Sequence, residues 1–152
     1  MTLHTAIVKT EEKKISSEEA KKFLLSKENG AESIFIGRVR NKNDGKKVRA
    51  VTYDVHDQAV IKSFQSICND AISKFDKSAS IFLEHAKGYV PVGEISILIA
   101  VGSGHRDEAF KICRYILEEV KHQSPIWKKE HYVSGKEEWL PGHSLRPKKE
   151  FK

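Results

Sequence analysis

Ser33-Ile34-Phe35-Ile36-Gly37-Arg38-Val39-Arg40-Asn41-Lys42-Asn43-Asp44-Gly45-Lys46-Lys47-Val48-Arg49-Ala50-Val51-Thr52-Tyr53-Asp54-Val55 is the stretch on which the fold class turns. Ile34, Phe35, Ile36 and Val39 make residues 33–39 a strand, and Gly37 within it marks a bulge or a close backbone approach. Residues 41–47 are polar and basic around Asp44-Gly45 and form a turn. In residues 48–55, Val48, Ala50 and Thr52 alternate with Val51, Tyr53 and Val55, the period of a returning strand. The pair is predicted to be an antiparallel hairpin with a long, basic, mobile tip.

Working outward, helices flank that pair. Upstream, residues 2–9 alternate loosely as a strand, and Ser16-Ser17-Glu18-Glu19 reads as a capping box with Ile15 just outside it. The helix it opens has Ala20, Phe23 and Leu24 on one face and stops at Asn29-Gly30. Downstream, Asp57 is placed to cap a helix whose Ile61, Phe64, Ile67, Cys68, Ala71, Ile72 and Phe75 follow the 3.6-residue period. Residues 80–85 and the strongly apolar 94–101 are strands joined by a turn around Gly88 and Gly93, the second of them central. Gly102-Ser103-Gly104 opens a third helix over residues 105–122, and Pro125 stops it. Two short strands, 126–133 and 139–140, follow around Ser134-Gly135. Hairpins alternating with helices predict an α+β fold with a largely antiparallel sheet, in one domain over residues 1–152.

Composition narrows the function classes. The chain carries 27 Lys+Arg against 21 Asp+Glu, a formal net charge of +6, which favours anionic substrates or acidic partners. The excess is spread over residues 38–49, Lys128-Lys129 and a tail, Arg146-Pro147-Lys148-Lys149, that reads as a solvated end. No apolar run reaches membrane-span length, and the start lacks the basic segment and apolar core of a secretory signal, so a cytoplasmic protein is expected. Cys68 and Cys113 fall on helix core faces and read as buried, reduced thiols. There is no CxxC, HxxxH or HExxH pattern, so no metal and no cofactor is expected. No nucleophile elbow is visible, and the aromatic residues do not interleave with basic ones as on an RNA-binding sheet.

The residues that can carry chemistry are cationic. Arg38 and Arg40 flank Val39 and point to one face, either to bind a carboxylate or phosphate with paired hydrogen bonds or as a solvated strand edge, the simpler reading. His105 and Arg106 begin a helix, where the backbone already favours an anion, so an anion site and an exposed first turn of mixed charge are equally consistent. Lys121 lies in the last turn of that helix and complements its dipole. In Pro125-Ile126-Trp127-Lys128-Lys129-Glu130 the two apolar residues are expected to bury, holding the lysines in place. Lys128 and Lys129 then face opposite sides, with Glu130 on the side of Lys128, where it can orient that ammonium.

Together these segments resemble the large, catalytic subunit of molybdopterin synthase. The resemblance is carried by Phe35-x-Gly37-x-Val39-Arg40-Asn41-x-Asn43-x-Gly45, Tyr53-Asp54, Gly93-Glu94, His105-Arg106-x-x-Ala109-Phe110 and Lys121-x-x-x-Pro125-Ile126-Trp127-Lys128-Lys129-Glu130, with Gly135 and Trp139. It runs from Ser33 to Trp139, while residues 1–32 and 141–152 match weakly. It implies a hammerhead-like α+β fold and a homodimer of large subunits. Each would bind a small ubiquitin-like sulfur carrier whose Gly-Gly thiocarboxylate tail enters a pocket, giving a heterotetramer. The implied reaction converts cyclic pyranopterin monophosphate to molybdopterin by two sulfur transfers. Lys121 and Lys128 match the family's catalytic lysines. Arg38, Val39, Arg40, His105, Arg106, Lys129 and Glu130 match substrate-contacting or supporting positions, some of which reach across the dimer. After His85, where the family commonly has a basic residue, this chain has Ala86 and then Lys87, the candidate substitute. Two other expectations compete with the enzyme: a basic nucleic-acid-binding module supported by net charge alone, and a scaffold that binds the small subunit without transferring sulfur.

Overall fold

The computed structural model describes residues 2–141; the basic tail at residues 146–149 lies outside them. The elements are β1 Thr2–Lys9, α1 Ser17–Leu24, β2 Ala31–Arg38, β3 Lys42–Asn43, β4 Lys46–Val55, α2 Asp57–Phe75, β5 Ser80–Pro91, β6 Ile95–Ser103, α3 Arg106–Gln123, β7 Ile126–Tyr132 and β8 Glu137–Trp139. They build an α+β fold around one sheet ordered β2-β6-β5-β4-β7-β8, with β1 beside β5 and β3 beside β4. Every pairing is antiparallel except β1 with β5. No helix among the described residues is long and apolar enough to cross a membrane.

The expected hairpin between residues 33–39 and 48–55 does not form. β2 pairs with β6, and β4 pairs with β5 and β7. Only Lys42-Asn43 and Lys46-Lys47 face each other, around Asp44 (φ 49°) and Gly45 (φ 77°). Two successive left-handed residues make the tight turn that suits a two-residue hairpin, so the tip is short. Beyond Asn41 the chain leaves β4. The register shifts between Gly37 and Arg38, the Val39 N–H donates to the Glu94 carbonyl, and the Gly93 N–H donates to the Val39 carbonyl. A bulge at that point turns β2 toward the β5–β6 turn instead of back along β4.

The helices follow their periodicity with local adjustments. Ser16 caps α1 by accepting from the Glu19 N–H, but the Glu19 carboxylate takes Lys13 rather than closing the box. α1 stops at Leu24, sooner than Asn29-Gly30 suggested, and the Asn29 amide reaches back to the Leu24 carbonyl. Gly30 sits so close to the Gly104 carbonyl that a Cβ there would overlap it. The α2 cap is His56, whose Nδ1 accepts from the Ala59 N–H, while Asp57 is the first helical residue and accepts from Lys87. α2 packs on α3, α3 lies on β6 and β2, and α1 rests on β5 and β6, where Phe23 meets Phe82 and His4. The core they enclose includes Phe64, Ile67, Ile81, Leu83, Leu98, Ile99, Ile112 and Ile116, together with Cys68 and Cys113, both free thiols. Burial pushes the Cys68 thiol up to about 12, which suppresses its thiolate.

Asp76 ties the end of α2 to the end of β6. Its carboxylate accepts from the Ser103 hydroxyl and from the Ser78 N–H and hydroxyl. Burial alone would raise its pKa, but these bonds and one from the Gly104 N–H hold it below the ordinary carboxylate value. A depressed folded-state pKa contributes stability above the unfolded value and loses it as pH falls through the folded one. Urea melts should therefore show stability falling as pH is lowered from the ordinary carboxylate range toward stronger acid. Asp76→Asn, which keeps an acceptor oxygen but cannot titrate, should drop less steeply; an unchanged slope would assign the acid lability to other carboxylates.

Candidate functional site

The basic residues of β2, α3 and β7 converge on one cleft. Two adjoining cavities, about 440 Å³ and about 280 Å³, share Arg38, Arg40, Tyr53, Lys121 and Lys128 in their walls. Among the described residues the smaller one has five cationic side chains, Arg38, Arg40, Lys42, Lys121 and Lys128, against a single carboxylate, Glu130. Such an imbalance in a walled cleft concentrates an anion.

Each cation is delivered by a local feature. Gly37 and the bulge at Arg38 end β2 at the mouth of the cleft, and the Arg38 guanidinium is fixed by an Nη1 hydrogen bond of 2.8 Å to the Gly93 carbonyl. Gly93 has φ 88°, a left-handed turn conformation that glycine adopts freely. Lys121 is exposed in the last turn of α3. The Ser124 hydroxyl bonds that of Ser63 on α2, and Pro125 then redirects the chain into β7, so Lys121 and Lys128 reach the cleft from two consecutive elements. On β7, Ile126, Lys128 and Glu130 share one side. Tyr53 and Val51 of β4 stand directly across from Lys128 and Glu130, so the four side chains form a single wall.

The neutral groups of the wall are polarised by their surroundings. Burial raises the pKa of Tyr53, the Glu130 charge adds to that, and its hydrogen bond with Ser96 pulls the other way. The edge of its ring meets His85, centroids 5.0 Å apart. His85 is buried, and its Nδ1–H donates to the Ala86 carbonyl at 2.8 Å, since a carbonyl can only accept. Glu130 is also buried; its Oε1 accepts from the Asn43 amide and from the Tyr132 hydroxyl, each at 3.0 Å. Among the described residues no group of three or more His, Cys, Asp or Glu side chains is placed to hold a metal.

Of the sequence candidates, Arg38, Val39, Arg40, Lys121, Lys128 and Glu130 line this cleft. Lys129 does not: it faces the other side of β7, 3.4 Å from Glu137 and 5.3 Å over the Trp139 ring. Trp127 shares that outward side and is 43% exposed, so of the expected apolar pair only Ile126 is buried. Lys87 turns away to Asp57, 2.8 Å distant, while Ala86 is buried in the wall of a separate cavity that also contains Arg38. His105 and Arg106 lie at the far end of α3 from Lys121; fifteen residues at 1.5 Å each separate Arg106 from it by roughly 22 Å. The sequence reading gave Tyr53, His85 and Asn43 no role at the site. The alternation of residues 48–55 does not set Tyr53 apart from its apolar neighbours, because its place opposite Lys128 depends on the β4–β7 register. Asn43 stood only within the family motif, with no contact assigned, and for His85 the sequence held no signal beyond a polar side chain inside a strand.

Known proteins place this arrangement. The profile of the MoaE protein family matches residues 10–123. The chain is 41% identical over 116 residues to the molybdopterin synthase catalytic subunit of Synechococcus elongatus, covering 76% of this chain and 70% of that one. It is 38% identical over 132 residues to the protein of the same name from Pyrococcus abyssi, covering 87% and 88%. The crystal structure of molybdopterin synthase from Staphylococcus aureus superposes with a TM-score of 0.81 at 29% identity, over 89% of this chain and 95% of that one. A profile match across most of the chain, sequence identity of this extent and a shared fold agree, and the chain belongs to the MoaE protein family.

Proposed function

We propose that this chain is the catalytic subunit of a molybdopterin synthase, converting cyclic pyranopterin monophosphate to molybdopterin in molybdenum cofactor biosynthesis. The observation that carries this is the convergence of Arg38, Arg40, Lys121 and Lys128 on one cleft. The sulfur donor is the C-terminal thiocarboxylate of a small ubiquitin-like carrier subunit, which explains why Cys68 and Cys113 are both buried away from the cleft. Both the substrate phosphate and the thiocarboxylate are anions, and the cleft is built to hold them. Arg38 and Arg40 bind phosphate through charge-assisted hydrogen bonds. Lys121 and Lys128 polarise the thiocarboxyl group, stabilise the charge that develops as sulfur attacks, and move a proton. Val39 contributes backbone, its carbonyl and N–H fastening the β5–β6 turn. Glu130 holds the Lys128 side of the wall, and Lys129 supports β7 from outside through Glu137 and Trp139. We place the enzyme and its carrier in the cytoplasm.

His105 and Arg106 join such a site only from a second copy. Arg106, Phe110, Arg114, Leu117 and Lys121 lie along one face of α3, and Phe110 is 63% exposed on it. Antiparallel packing of two copies about a two-fold axis brings Arg106 of one toward Lys121 of the other, giving a homodimer that carries two small subunits. Single-turnover conversion of the pyranopterin by this chain and a thiocarboxylated carrier tests the activity, and absence of product would refute it. Mixing Arg106→Ala with Lys121→Ala chains tests the dimer. Each is expected to be impaired alone, and random reassortment should restore about a quarter of wild-type turnover, because half the dimers regain one complete site. No recovery would confine the site to one chain.

A further inference from the structure

Four strands meet at one buried phenol behind the cleft. Tyr132 lies on β7 two residues beyond Glu130 and four beyond Lys128, on the same side. Its hydroxyl is 3.0 Å from Glu130 Oε1 and 3.3 Å from Glu138 Oε2 on β8. The Asn43 amide of β3 donates to the same Glu130 oxygen at 3.0 Å. Lys46 at the start of β4 donates to Glu138 Oε2 at 3.1 Å, and its ammonium lies 5.0 Å over the Tyr132 ring.

We propose that Tyr132 is a positioning residue for the reaction, latching the 42–47 hairpin to β7 and fixing the Glu130 carboxylate that supports Lys128. This rests on the sulfur-transfer reading given above. The hydroxyl has one proton for two carboxylates and gives it to the nearer, Glu130. That bond and the Asn43 bond converge on Oε1, so the carboxylate, which lines the cleft wall, is held from one edge. Burial, reinforced by the bond to Glu130 and the charges of Glu130 and Glu138, pushes Tyr132 up to about 12, so it remains a donor at neutral pH. A buried carboxylate that loses a donor re-pairs with whatever is near. Glu130 shares its strand face with Lys128, so a carboxylate that shifts changes the surroundings of that ammonium in the cleft wall. The hairpin is thereby a fixed wall, not the mobile tip that its composition suggests.

Tyr132→Phe removes the hydroxyl and keeps the ring beneath Lys46. Two readouts separate the latch from the chemistry. Hydrogen exchange is followed at Val48 and Val133, whose N–H groups bond the Asn41 and Lys47 carbonyls at the two ends of the hairpin. Both are expected to exchange faster in the variant. The single-turnover rate should fall about tenfold with KM for the pterin within about twofold, the pattern of a displaced catalytic group. Asn43→Ala should behave alike, and the double variant should lose less than the product of the two, since both act on one oxygen. Unchanged exchange overturns the latch. Faster exchange with an unchanged rate, or a loss confined to KM, overturns the positioning role. If the wild-type chain does not turn over, the sulfur-transfer reading fails and the reaction role with it, while exchange still decides the latch.

Discussion

Lys128→Ala and Lys121→Ala are each expected to lower the single-turnover rate of molybdopterin formation by about 10²–10³, the cost of removing a preorganised donor from where charge develops. Lys128 should give the larger loss. It is half-buried on a strand, directly across from Tyr53 and beside Glu130, whereas Lys121 is exposed at a helix end. A preorganised group in a walled cleft stabilises developing charge more than a hydrated one does. The loss should appear in the rate more than in KM, because the incoming anions still meet Arg38, Arg40 and Lys42. Lys128→Arg separates the two roles assigned to the lysine. Arginine keeps the charge but cannot release a proton near neutral pH, so recovery of most of the rate would assign Lys128 to charge stabilisation alone. Full activity in both alanine variants would sink the proposed chemistry. Neither change should unfold the protein: for Lys121 the dipole interaction lost is about 0.3–1 kcal/mol.

Phe64→Ala is expected to have the largest effect on stability and none specific to chemistry. Phe64 is fully buried on α2, among the largest side chains of the core that α2 and α3 form against the sheet. Truncating a buried phenylalanine costs about 3–5 kcal/mol, from the lost transfer energy and the cavity left behind. For a chain of this length that corresponds to a fall in Tm of roughly 10 °C. Thermal melts of Phe64→Ala beside Lys121→Ala make the comparison, and the second should melt near wild type. A shift of only a degree or two in Phe64→Ala would mean that the helices re-pack over the gap.

Identity and conformation of most elements were legible in the chain because their causes are local. The 3.6-residue spacing of Phe64, Ile67, Cys68, Ala71 and Ile72 is enough for α2, and Ser16 and Pro125 mark where helices begin and end. The opposite sides of Lys128 and Lys129 follow from the pleat alone. Boundaries moved by a residue or more where a long-range partner intervened, as with Asn29 reaching back to Leu24, or where His56 capped α2 in place of Asp57.

What the sequence by itself determined, then, was the α+β class, the buried cysteines and the motif order that marks the family; the apolar strand β6, expected at the centre, lies one strand in from the edge, between β2 and β5. Tertiary structure alone decided which strands pair and which cations meet. β2 and β4 are neighbours in sequence, yet their partners are β6 and, for β4, both β5 and β7, because hydrogen bonds go to whichever edge a bulge turns the chain toward. That choice converts Arg38 and Arg40 from an apparent solvated strand edge into two walls of the cleft. It also sets Tyr53 opposite Lys128, and folds Asn43 onto Glu130, contacts between residues 75 and 87 positions apart that no local pattern encodes. The same geometry leaves His105 and Arg106 a full helix length from Lys121, a distance fixed by the rise of α3 that no rearrangement within one chain can close.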